Sequence, residues 1–215
     1  MRGILPFALL HFLNDAISGY LIGSIVKTGH GELEIVFAIL VYNVIAFGGQ
    51  WFFAEFARHY LTSKRWILLS ISLLILAPFL FPFAWKISIL LIGISSAIVH
   101  VEGATASYSF SRTAKSLGLF AAPGIVGLAL GGWLSTLTID ISRMLAYCSV
   151  GLMLLFIPFK WNLETKKEAA EKHGEIDTHD IIMILLLSAI ALRSAVWNVF
   201  QMIERHDHAV LLWIA

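Results

Sequence analysis

An all-α membrane protein is the fold class this sequence predicts, on three observations. Seven apolar runs are each long enough to cross a bilayer, because a hydrocarbon core about 30 Å thick takes roughly 20 residues of helix. Hydrophobic residues make up 59% of the 215 against 13% charged, with a mean hydropathy of +0.83, and a water-soluble fold of that composition would lack the polar surface to cover itself. The short polar breaks between the runs carry Lys and Arg on alternate sides.

The runs fall at about residues 4–26, 34–56, 66–84, 86–103, 116–138, 143–159 and 180–201, and an eighth opens at Ala209 and stops at Ala215. Residues 2–18 begin like a signal peptide, but His11, Asn14 and Asp15 interrupt the apolar stretch and no small-residue cleavage site follows, so an uncleaved span is expected. Trp66, Trp85, Trp133 and Trp161 stand near span ends, where an indole buries its ring and keeps its N–H wet. The fifth run is crowded with small residues, among them Gly118, Gly124, Gly127, Gly131 and Gly132. Gly127 and Gly131 make a small-xxx-small face that lets another helix approach closely, and Pro123 removes a backbone hydrogen bond and permits a bend. The single cysteine, Cys148, lies inside the sixth run, so there is no disulfide framework and no thiolate cluster.

From Lys160 to Asp180 the chain is strongly polar, with alternating Lys and Glu and an i,i+4 pair of Glu168 with Lys172. The expected organisation is therefore a six-helix transmembrane bundle over 1–159, a cytoplasmic linker over 160–179 and the start of a second bundle over 180–215. Six helices, a charged connector and more helices is the layout of transporters built from two halves. An ending inside an apolar run reads as a truncation, since a half-length span cannot satisfy its backbone in lipid. With the N-terminus inside, ten of the fourteen basic residues outside the spans are cytoplasmic, which predicts a multi-pass protein of the plasma (inner) membrane. Its partners are then the bilayer, a small-molecule substrate and protons, with no patch for nucleic acid.

An ionisable residue at membrane depth is costly, which makes Asp15 a functional candidate. His11, Asn14 and Asp15 share one helix face, and they read either as a working site or as polar glue between helices. Arg193 is the second intramembrane charge. At 1.5 Å per residue it and Asp15 lie about 20 and 17 Å deep, which permits a pair between the first and seventh spans; the alternative is an arginine snorkelling to the surface. His100 and Glu102 stand near the expected cytoplasmic end of the fourth span, where a carboxylate beside an imidazole suits proton transfer through a half-buried site and a boundary position permits plain hydration as well. Their spacing of two does not place two ligands on one helix face, so no metal is assigned. A site shared by His11 and His100, as in a haem protein or intramembrane enzyme, is set aside because their expected depths differ by more than half a membrane. Neither a cofactor nor an enzymatic activity is expected.

Gly118, Gly127 and Gly131 fall at the first three glycine positions of the fifth-helix antiporter signature of major facilitator superfamily exporters, with Gly132, Ser135 and Thr136 departing from its remainder. His11-Phe12-Leu13-Asn14-Asp15 and His100-Val101-Glu102-Gly103 resemble the fosmidomycin-resistance-type group of that superfamily. Between the second and third spans, Ala54-Glu55-Phe56-Ala57-Arg58 keeps the acid of the family's loop motif without its glycines, and the fourth-helix arginine of proton antiporters is missing, with Val99 or His100 near its place. The resemblance covers residues 1 to about 200. It implies a proton-linked exporter of small organic molecules or drugs, in which helices one, four and seven line the cavity. Two other readings stay open: a facilitator or importer of an anionic solute held by Arg193, and a half-transporter without activity of its own.

Overall fold

Lipid offers no hydrogen bonds, so a chain of apolar runs satisfies its backbone as helices and packs them side by side. The computed structural model describes residues 3–60, 62–111 and 113–159, which belong to one compact unit. The side chain of Arg58, the linker, Arg193 and the seventh and eighth runs lie outside the described residues. Among the described residues all regular structure is helical, and four helices are long and apolar enough to span a membrane.

Helix α1 runs Leu5–Lys27 with Pro6 in its first turn, where a missing N–H costs nothing. It ends where Thr28 N–H closes on Ser24 O and Gly29 takes a φ of +75°, the left-handed conformation that favours glycine. In α1 72% of the spanning window is buried, against 28–33% in the other three long helices, so α1 is the central helix and the others present faces to lipid. Helix α2, Glu32–Asn43, starts on two glutamates that suit the positive end of the helix dipole. It passes through a π-helical turn, Val44–Gly48, into α3, Gly49–Tyr60. Glu55 and Arg58 therefore stand on a helix and not in a loop, because no Gly or Pro interrupts residues 50–60.

Helix α4, Ser63–Ser111, has non-helical backbone at Ala84 just after Pro78 and Pro82. Ser95 Oγ nevertheless donates to Ser70 O at 3.1 Å. In a straight helix those residues would be about 37 Å apart, so the break is a reversal and the arms 63–83 and 85–111 run antiparallel. Glu102 bonding Ser63 keeps the same register one level further along. The fourth run thus extends to Ser111, beyond the end expected at 103. The Ser/Thr-rich stretch is helical, and its hydroxyls are satisfied without water by carbonyls of their own helix, Thr105 donating to Val101 O and Ser109 to Ala106 O.

Thr113 caps α5, Ala114–Thr136, by accepting the Ser116 N–H. Its buried positions form one narrow seam through Ser116, Phe120, Gly124, Gly127, Gly131 and Ser135, while Ile125, Val126 and Trp133 point outward and are more than half exposed. That seam lies on α1. A Cβ on Gly127 would meet the Phe12 carbonyl oxygen, one on Gly131 that of Ala16, and one on Gly19 that of Leu128. Backbone therefore meets backbone along several turns. Gly118 looks into open space. Helix α6, Ser142–Phe156, is 15 residues or about 22 Å long, shorter than the span expected at 143–159. Asp140 Oδ1 accepts from Ser142 N–H at 2.9 Å and from Tyr20 O–H at 3.0 Å, tying the start of α6 to α1. These bonds, led by that from Ser142, hold the Asp140 carboxyl below its ordinary 3.8.

Trp66 departs from its expected interfacial role. The indole is buried against the edge of Phe53, and its N–H has no partner among the described residues. Its position near a run boundary did not reveal that Phe53 of α3 packs on it.

Candidate functional site

Polar side chains buried in a lipid-embedded bundle need partners within the protein, and α1 carries three in little more than one turn. His11, Asn14 and Asp15 are 4%, 0% and 8% exposed. Asn14 Nδ2 donates to Asp15 Oδ1 at 2.8 Å, and Asn14 Oδ1 shares the single Ser95 hydroxyl hydrogen with Ser70 O, each 3.1 Å from Ser95 Oγ, which connects the α1 group to the second arm of α4. The other carboxylate oxygen, Asp15 Oδ2, lies 3.2 Å from His11 Nε2.

His100 completes the group from the second arm of α4. Its Nε2 is 3.2 Å from His11 Nε2, with the rings edge to face at 4.6 Å. This overturns the expectation that His11 and His100 are too far apart in depth to share a site. Because α4 continues to Ser111, His100 is near the middle of the second arm and not at its end. Glu102 is buried too, against the plain-hydration reading, but it faces Ser63 on the first arm and does not join the group.

Two backbone carbonyls orient the imidazoles. His11 Nδ1 is 2.9 Å from Phe120 O, and His100 Nδ1 is 2.7 Å from Ser96 O. A carbonyl oxygen only accepts, so each Nδ1 carries the hydrogen and each neutral Nε2 presents a lone pair. With both rings neutral, His11 Nε2, His100 Nε2 and Asp15 Oδ2 converge as three acceptors, all within 4.8 Å of one another. The Phe120 ring stacks on His11 at 4.5 Å and 16°, fixing the plane of that imidazole.

Gly124 makes the room. A Cβ there would lie 2.5 Å from His11 Nε2 and 2.7 Å from Asp15 Oδ2, so this position in the glycine-rich helix shapes the group as well as the packing. Pro123 and Gly132 stand beside the same seam, with Gly132 N at 3.0 Å from a Cβ built on Gly19. Tyr42, whose O–H donates to Ser96 Oγ at 3.4 Å, extends the network to α2, and the π-helical turn brings Phe47 to 6.0 Å from the His100 ring.

Sequence reasoning missed Ser95, Ser96, Tyr42 and Phe120. Ser96 precedes His100 by four residues, and that helical spacing was the available signal. The Phe120 carbonyl leaves none, since a main-chain acceptor is independent of residue type. Comparison with protein-family models, curated proteins and solved structures returned no match.

Proposed function

We propose that this chain forms the first bundle of a membrane transporter of major-facilitator architecture, an exporter of small organic molecules linked to proton exchange, with its N-terminus in the cytoplasm. One observation carries the reading: His11 Nε2, His100 Nε2 and Asp15 Oδ2 converge within 4.8 Å of one another at the middle of a lipid-length bundle, with both Nδ1 atoms already engaged by main-chain carbonyls. A single proton held there joins α1 to α4, and its loss leaves a carboxylate facing two lone pairs. The arrangement around α1 and α4 then differs in energy between loaded and empty forms, as alternating access requires. The π-helical turn against His100 supports the reading, because such turns recur where helices change shape at functional sites. The two sequence stretches that resemble the fosmidomycin-resistance-type group contribute His11, Asp15 and His100 to this centre.

The test is flux in proteoliposomes of the purified protein, with an imposed pH gradient. Asp15→Asn keeps the side-chain shape and removes the charge, so gradient-driven flux is expected to fall to background while the protein stays folded. Wild-type flux and pH dependence in that variant would refute the proton centre. Wild-type flux indifferent to the gradient would instead favour a facilitator of an anionic solute.

A further inference from the structure

We propose that His11 Nε2, His100 Nε2 and Asp15 Oδ2 form a binding site for a divalent first-row transition-metal ion. The inference shares its residues with the proposed transport function but not its chemistry, since it concerns equilibrium binding and requires no flux.

Two contacts have the size a metal needs. Zinc takes imidazole nitrogen and carboxylate oxygen at about 2.0–2.1 Å, so neighbouring ligand atoms around a tetrahedral ion are about 3.3 Å apart. The His11–His100 and His11–Asp15 separations are both 3.2 Å. The third, His100 to Asp15, is within 4.8 Å, and an ion seated among the three draws that pair together. Three protein ligands leave a fourth position open, the pattern of sites whose last ligand exchanges.

The surroundings match as well. Imidazoles that ligate metals characteristically donate the other ring N–H to a carbonyl or carboxylate, which fixes the tautomer and aims the lone pair. Both imidazoles here do so, to Phe120 O and Ser96 O. The carboxylate is held likewise, Asp15 Oδ1 by the Asn14 amide and Asn14 in turn by Ser95. A structural histidine pair needs one ring to donate to the other, and with both Nδ1 hydrogens already given to carbonyls that takes one added proton. One proton answers one of these edges, whereas one metal ion answers all of them. Two nitrogens and an oxygen suit zinc, cobalt, nickel or iron(II) over calcium or magnesium. The other paired histidine among the described residues, His30 with Glu34, is partly exposed and contributes no third ligand to a comparable group.

The experiment uses the whole chain purified in detergent and stripped with chelator, titrated with Co²⁺ and then Zn²⁺ at fixed pH. Expected are one equivalent of Co²⁺ with the intense visible absorption of a four-coordinate ion, its displacement by Zn²⁺, and zinc affinity weaker by roughly tenfold or more in Asp15→Asn and His100→Gln. His30→Gln is expected to bind as wild type does. A weak, six-coordinate cobalt spectrum in the wild type would overturn the site without reference to any variant, as would unchanged affinity in both ligand variants. Proton-driven flux in metal-free vesicles is read separately, so either idea can fail while the other stands.

Discussion

Alanine at Gly127 or Gly131 is expected to destabilise the bundle, and alanine at Gly118 is not, although all three glycines lie in the same helix and fall on the same sequence signature. A Cβ on Gly131 would sit on the Ala16 carbonyl oxygen and within 2.8 and 2.9 Å of the Ala16 C and Cα. One on Gly127 would sit on the Phe12 oxygen with Phe12 C at 3.0 Å. These are backbone atoms of a buried helix, so no rotamer change relieves them. Ordinary carbon contact is about 3.5 Å or more, and α5 must retreat by more than about half an ångström, losing contact along the whole seam. Gly118 has nothing within 4 Å of such an atom. Each Gly→Ala change gains up to about 1 kcal/mol of helix propensity, and comparing the three cancels that gain. The difference is the cost of overpacking, about 1–3 kcal/mol. Thermal unfolding in detergent, followed by circular dichroism, measures it. Equal melting temperatures for Gly118→Ala and Gly131→Ala would refute the backbone-to-backbone seam, and Gly131→Leu, which widens the gap further, is expected to melt lowest.

Gly124→Ala separates the site from the scaffold: His11 must move about 1 Å to restore contact from 2.5 Å, and a displacement of that size costs on the order of 100-fold in a reaction that depends on alignment. Gradient-driven flux should fall by about that factor in folded protein, and unchanged flux would show that the imidazole needs no fixed place. At the rim, the hydrogen bond from Ser142 holds the Asp140 carboxyl below its ordinary 3.8, so the stability it contributes is present above that pH and lost as pH falls through the lower folded value. Asp140→Asn should flatten the acid side of the melting-temperature curve; an unaltered curve would show that the link between Tyr20 and α6 carries no measurable stability.

The sequence located the helices well because each is a local matter of apolar length. The runs expected at 4–26 and 116–138 appear as Leu5–Lys27 and Ala114–Thr136. It went wrong where hydropathy and helicity part. Residues 104–111 are polar enough to resemble a loop, yet they are helical, with hydroxyls satisfied by carbonyls of their own helix, so the fourth run is longer and His100 deeper than composition implied. The misplaced depth then removed the His11–His100 contact from consideration.

What the sequence determined alone is the membrane class, the bounds of the first and fifth runs to within a few residues, the shared face of His11, Asn14 and Asp15, and the stripe of small residues on the fifth run. These follow from hydrophobic length and from the 3.6-residue period, both properties of a single segment. Only the tertiary structure decided that the glycine stripe lies on α1, that Gly124 is the space beside His11 and Asp15, and that a main-chain oxygen at each of residues 120 and 96 turns both imidazole lone pairs toward one point. A carbonyl is the same atom at every position of a chain, and which side chain it meets is set by the packing of helices distant in sequence.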